Sequence, residues 1–176
     1  VVTMYLGGMP ENAKSFYRLK KKYKFLLIED ACHAFGSFVK HGNKKQYIGS
    51  CNFSDISTFS FHPVKTITTA EGGMLTTNNY NFKNKAILFR SHGIKKNNKN
   101  HWDYNLEFSG LNYRLSDVAC SLGISQLKKI NFFLRERLKA ANYYKKIISS
   151  PDITFAKYLE RSEASAWHLF LIQINF

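Results

Sequence analysis

Short, continuously apolar runs alternate with longer helical patterns along this chain, and no other feature limits its fold so strongly. Phe25-Leu-Leu-Ile28 is apolar without a break and ends at Glu29-Asp30. A run that short and unbroken is expected of a strand buried on both faces of a parallel sheet. Two further strands are predicted over 55–61 and 73–77, the second after the Gly72-Gly73 turn. A helix is predicted over 10–24, with Pro10 in its first turn and Ala13, Phe16, Tyr17 and Leu19 as a rough apolar face. Others are predicted over 81–89 and over 115–128, where Ser116 suits the N-cap. The clearest helix covers 130–148: Ile130, Phe133, Leu134, Leu138, Ala141, Tyr144 and Ile148 recur at three- and four-residue steps. Trp167 to Phe176 predicts a strand that opens another unit. Strands alternating with helices give an α/β fold with a mainly parallel sheet. Ligands of such sheets bind at the carboxyl ends of the strands, which directs attention to Asp30 and to the segment after Phe59.

Length and composition narrow the function classes. The 176 residues fit one ordinary domain, and 44% hydrophobic residues are ample for a core and incompatible with disorder. No run of about eighteen apolar residues and no secretory signal pattern occurs, so a cytoplasmic protein with no membrane partner is expected. VVTMYLGGMP at the start and WHLFLIQINF at the end open and close mid-pattern, so the chain reads as an internal fragment. Cys32, Cys51 and Cys120 are odd in number and widely spaced, which predicts buried free thiols in a reducing compartment and no metal site. The net charge of +14 raises the possibility of a nucleic-acid or anionic partner. However, 20 of the 26 basic residues are Lys, scattered in small clusters, whereas nucleic-acid modules favour Arg for bidentate contacts. No nucleic-acid partner is expected, although such a field suits a phosphate-rich substrate.

Three elements carry candidate chemistry: Asp30-Ala-Cys-His33, Ser60-Phe-His-Pro-Val-Lys65 and Leu111-Asn-Tyr-Arg114. Each is common on its own: a strand-end Asp caps helices, a Lys sits in solvent, a His packs in a core. Their order and spacing are more informative. IEDACHAFGS, FSFHPVKTITTAEGGMLTTN, FRSHG and GLNYRLSDVACSLGISQL together resemble the DegT/DnrJ/EryC1/StrS family of pyridoxal-phosphate (PLP) dependent sugar aminotransferases. The resemblance runs over nearly the whole chain and is densest over 28–93 and 110–127.

That resemblance implies the type I, aspartate-aminotransferase-like fold. Residues 1–150 would be the central and C-terminal part of the PLP-binding large domain, and 151–176 the start of a truncated small domain. It implies PLP as cofactor, with Lys65 as the cofactor-carrying and proton-shuttling amine, a role that suits a desolvated lysine. Asp30 would keep the pyridine nitrogen protonated, so that the ring withdraws electrons. His33 would lie against the ring face and Ser60 would bind the cofactor phosphate. Asn112 would reach the phosphate in a neighbouring subunit, implying a homodimer with shared sites. His62, His92 and Arg114 are candidate substrate contacts, while Glu71 reads equally as a loop carboxylate. The family's activity would be transfer of an amino group, from glutamate, to C4 of a nucleotide-linked 4-keto-6-deoxy sugar in surface-polysaccharide or nonulosonic acid biosynthesis. The family's Gly/Ser/Thr-rich helix start, which cradles the phosphate, has no counterpart in these residues. Family relatives that dehydrate sugars carry His in place of the lysine, and Lys65 argues against that chemistry. A basic nucleic-acid or anion-binding protein and an inactive truncated remnant remain the alternatives.

Overall fold

In the computed structural model of the protein, residues 1–10, 12–96, 100, 102–155 and 164–176 are described. A β–α–β crossover opens the chain: strand β1 (Val2–Met4), helix α1 (Ala13–Tyr23) and strand β2 (Ile28–Asp30). A short 3-10 turn, Leu6–Gly8, lies between β1 and α1. Strands β3 (Phe38–His41) and β4 (Lys44–Tyr47) then form an antiparallel hairpin. Strands β5 (Ile56–Ser60) and β6 (Gly73–Thr76) complete a four-stranded sheet of order β1-β2-β5-β6. β1, β2 and β5 are parallel, with Val2 opposite Ile28 and Ile28 opposite Ile56. β6 runs antiparallel to β5, pairing Gly73 with Ser60. The parallel order therefore leads Met4, Asp30 and Ser60 to one edge of the sheet.

Helices α2 (Tyr80–Arg90), α3 (Asp117–Leu127) and α4 (Ile130–Ile147) follow. A small hairpin of β7 (Ile94–Lys96) and β8 (Tyr104–Leu106) lies between α2 and α3. A last antiparallel pair joins β9 (Ile153–Phe155) to β10 (Ile172–Ile174). Ser116 caps α3 as predicted, its hydroxyl accepting the Ala119 N–H at 3.3 Å. Asn79 does the same for α2, accepting from Asn81 and Phe82.

Several elements depart from the sequence pattern for identifiable reasons. The strand predicted over Phe25–Ile28 lies at Ile28–Asp30 instead. The Asp55 carboxylate accepts the Leu27 N–H at 2.8 Å, so a side chain takes the place of a ladder bond, and Leu26 is 58% exposed. The first helix begins at Ala13, after Pro10 accepts the Ala13 N–H in a turn. Only Ile172–Ile174 of the predicted terminal strand is extended, because Trp167 takes a left-handed φ of 49°. The three cysteines are unpaired and half-buried, where full burial was expected.

Two apolar clusters hold the molecule. The first gathers Tyr5, Ala31, Ala34, Phe59, Phe61 and Ile67, with Phe35, Ile130 and Phe133 against them. The second seats Trp167 and Ala141 with Leu138, Phe155 and Phe170. α4 serves both, its first turn on one cluster and its middle on the other, which accounts for the long helical periodicity over 130–148.

Beneath the parallel strands lies a buried carboxylate. Glu29, in the middle of β2, is 2% exposed. The Tyr5 hydroxyl donates to one of its oxygens at 2.6 Å and the Ser57 hydroxyl donates to the other. Burial, and next the Glu29 charge, push the Tyr5 phenol far above its ordinary pKa, so it remains a donor at every accessible pH. Glu29 thereby ties the end of β1 to the middle of β5. Tyr5→Phe removes one of its two donors and should lower stability by about 1.5–3 kcal/mol, the value of a hydrogen bond to a charged group. Urea unfolding of parent and variant measures this, and an unchanged midpoint would show that the bond contributes nothing.

Candidate active site

Alternation along β5 separates core from site. Phe59 is buried on one face, while Thr58 and Ser60, its neighbours, point to the other. Phe35 stands edge-on to both Phe59 and Phe61, with ring centroids 5.3 and 5.5 Å apart. That wedge joins the loop after β2 to the end of β5, bringing Asp30, Cys32 and His33 alongside Ser60.

The loop after β5 is shaped by its own turn chemistry. The Lys65 N–H donates to the His62 carbonyl at 2.9 Å, closing a β-turn with Pro63 in the second position, where its fixed φ fits. The Phe61 N–H donates to the Gly72 carbonyl at 2.8 Å, and the Phe61 carbonyl accepts from Thr69 N–H and the Thr68 hydroxyl. Phe61 is thus the neck of a closed loop that carries Lys65, itself half-buried. Ala70 in that loop has φ 67°, a left-handed conformation that costs an L-residue about 1–2 kcal/mol. α3 backs the loop closely: a Cβ at Gly123 would lie 2.8 Å from Thr69 Cγ2.

The electrostatics of Cys32, His33 and His168 put Asp30, Cys32, His33 and Lys65 close to one another, beside the Ser60 backbone. Asp30 accepts the Cys32 N–H at 3.1 Å, which fixes the carboxylate at the end of β2. The Cys32 thiol is pushed up to about 11 by burial, then by its hydrogen bond to Asp30 and the Asp30 charge. Lys65 and the Ser60 backbone act on it in the opposite sense. His33 is pushed below its ordinary pKa by burial first and by the Lys65 charge second, with Asp30 opposing. His168 is pushed down to about 4 by burial, then by His33, Lys65 and Arg137. An amine, a carboxylate and an imidazole therefore act on one another at the carboxyl edge of the parallel strands, where Ser60 ends β5.

The remaining predicted residues are arranged differently. His62 is exposed, and its Nε2 faces the Glu71 carboxylate at 3.9 Å. Asn112 forms an isolated antiparallel bridge with Ser91, and the His92 N–H donates to the Leu111 carbonyl at 2.9 Å. Arg114 follows in the exposed stretch before α3. Among the described residues, no hydrogen bond or ion pair joins Asn112, His92 or Arg114 to Asp30, His33, Ser60 or Lys65. Sequence reasoning missed Cys32 and His168. Cys32 was legible from its place between Asp30 and His33. A polar His inside the apolar run WHLFLIQINF was the only signal for His168.

A donor set of this kind fits PLP: an amine for its aldehyde, a carboxylate for its ring nitrogen, a ring for its face and a hydroxyl for its phosphate. Comparison with known proteins agrees. The chain is 43% identical over 166 residues to a UDP-4-amino-4,6-dideoxy-N-acetyl-beta-L-altrosamine transaminase of Campylobacter jejuni, covering 94% of this chain and 42% of that protein. A Helicobacter pylori protein of the same name is 36% identical, with 99% and 44% covered. GDP-perosamine synthase of Escherichia coli is 35% identical over 150 residues, with 85% and 38% covered. The chain thus spans less than half the length of these relatives. Among solved structures, the Helicobacter pylori aminotransferase PseC, involved in the biosynthesis of pseudoaminic acid, superposes with a TM-score of 0.85 at 35% identity, covering 99% of this chain and 45% of that one. The family model described as the DegT/DnrJ/EryC1/StrS aminotransferase family matches residues 1–176, and the chain belongs to that family.

Proposed function

We propose that these residues form the cofactor-binding part of a PLP-dependent aminotransferase acting on a nucleotide-linked sugar. The amino group passes from an amino acid, glutamate, to C4 of a 4-keto-6-deoxy sugar, in surface-polysaccharide or nonulosonic acid biosynthesis. The observation that carries this reading is the convergence of Asp30, His33, Ser60 and Lys65 at one sheet edge, in a chain 43% identical to a named sugar transaminase. The positive charge supports a phosphate-rich substrate. Among the described residues, its lysines are spread over α1, the β3–β4 hairpin, α2, β7, α4 and the loops and do not gather on one nucleic-acid-binding element. Three unpaired cysteines support a reducing, cytoplasmic setting. We read residues 1–150 as part of the large domain and 151–176 as the opening of the small one.

PLP, when bound, supplies an electron-withdrawing ring that stabilises charge developing at the substrate carbon. The chain's own residues do the rest. The Lys65 amine would hold the cofactor and would move a proton to or from the reacting carbon. The Asp30 carboxylate, held by the Cys32 N–H, keeps a proton on the ring nitrogen. His33, driven toward its neutral form, packs on the ring without competing for that carboxylate. The Ser60 hydroxyl donates to the phosphate. Asn112, whose backbone bridges Ser91, would serve the phosphate of a partner subunit in a homodimer.

Three experiments test this in the full protein carrying these residues. Borohydride reduction in the presence of PLP should fix the pyridoxyl group on Lys65, as read by peptide mapping, and Asp30→Asn should cut turnover by roughly a hundredfold or more. A label on another lysine, or undiminished turnover in Asp30→Asn, would overturn the assignment. Mixing inactive Lys65→Ala and Asn112→Ala subunits should restore part of the activity, because one hybrid site then retains both residues. Verified mixed dimers that stay inactive would rule out a shared site.

A further inference from the structure

The C-terminal segment folds back over the start of the chain and ends on His33. The His168 ring packs against the His33 ring with centroids 4.3 Å apart and planes 40° apart. One glycine contacts both residues. The Gly7 N–H donates to His33 Nδ1 at 3.4 Å, while the Gly7 carbonyl accepts the His168 N–H at 3.0 Å. Arg137 on α4 fixes the same segment from the other side, its guanidinium donating to the carbonyls of Trp167 at 3.2 Å and His168 at 3.5 Å. Ser37 and Ser165 anchor the segment further, both hydroxyls donating to the Gly8 carbonyl.

We infer that His168 is a positioning residue for His33: packed against it and held by Gly7 and Arg137, it covers the His33 ring and keeps neutral an imidazole whose proton Gly7 leaves on Nε2. The tautomer follows from the donor. An amide N–H can only approach a ring nitrogen that carries no proton, so with Gly7 on Nδ1 the His33 proton is on Nε2. Neutrality follows from the surroundings. His33 meets the Lys65 cation and the Asp30 carboxylate, and on its other side the His168 ring shuts out water. His168 in turn meets His33, Lys65 and the Arg137 cation, with no carboxylate acting on it among the described residues. Its own Nδ1 is buried without a hydrogen-bond partner among the described residues, so a charge there would be unsolvated. The pair therefore stays uncharged, and His33 presents an N–H donor of fixed direction. The catalytic value of that donor rests on the proposed aminotransferase function; the tautomer and the stacking do not.

The test is a pH titration of the cofactor-free protein labelled with 15N-histidine, read by two-bond proton–nitrogen spectra that report tautomer and charge, with His33 assigned by His33→Gln. In the parent, His33 should carry its proton on Nε2 and titrate below the ordinary histidine range. His168→Ala opens the ring to water, so the His33 midpoint should rise toward that range and its tautomers should mix. His168→Phe keeps the cover and should hold His33 as in the parent. His168→Asn, which also removes the ring, replaces the alanine variant if that one does not fold. An unchanged His33 tautomer and midpoint in the folded ring-less variant, or a phenylalanine variant that shifts as far as it does, overturns the inference. No cofactor or turnover enters the measurement, so its failure leaves the Lys65 labelling result untouched, and the reverse holds equally.

Discussion

A carboxylate with no cationic partner among the described residues sits under the parallel strands, and the candidate site depends on how it is satisfied. Glu29 accepts from Tyr5 on one side and Ser57 on the other, so β1, β2 and β5 are tied at one level. An unpaired buried carboxylate would cost several kcal/mol, which makes slippage of any of the three strands unfavourable. Because strand side chains alternate, fixing Glu29 inside the sheet's buried face sends Asp30 to the opposite face. The candidate cofactor carboxylate therefore owes its direction to the residue before it.

The same parity governs β5. Phe59 and Phe61 enter the core and Ser60 between them does not, so an aromatic wedge at Phe35 is enough to lock the site's geometry from behind. Beyond Phe61 the chain leaves the sheet and parity ends. Local chemistry takes over: Pro63 sets a turn, Phe61 closes the loop's neck, and Lys65 stands where those two constraints leave it. Gly123 on α3 lets the helix approach this loop to a distance that a larger residue would prevent.

These distinctions explain what was legible in the sequence. The helices over 80–90, 117–127 and 130–147 were readable because caps and three-to-four-residue periodicity are local signals. The central strands were readable as apolar runs, but the edge of β2 was not. Its N-terminal limit is set by Asp55, a residue far along the chain, accepting the Leu27 N–H. The β3–β4 and β7–β8 hairpins are short and largely polar, and their pairing comes from tertiary context. Of the candidate site, Asp30, His33, Ser60 and Lys65 were singled out by the resemblance of their motifs to a family pattern. His168 was not, because nothing near it in sequence foretells that Trp167 turns left-handed and delivers the next ring onto His33.

The bonds that seat that segment join residues very distant in sequence: Ser165 to Gly8 is separated by 157 positions and Ala166 to Ser37 by 129. Contacts of such range close long loops. The entropy of loop closure grows only slowly with length, about 0.6 kcal/mol per doubling, so the cost to equilibrium stability is modest. The cost in time is larger, since long-range pairing slows folding far more than it weakens the product. The sheet edge carrying Asp30 thus rests on nearer contacts, while the face of His33 is covered by a segment that reaches it from far along the sequence.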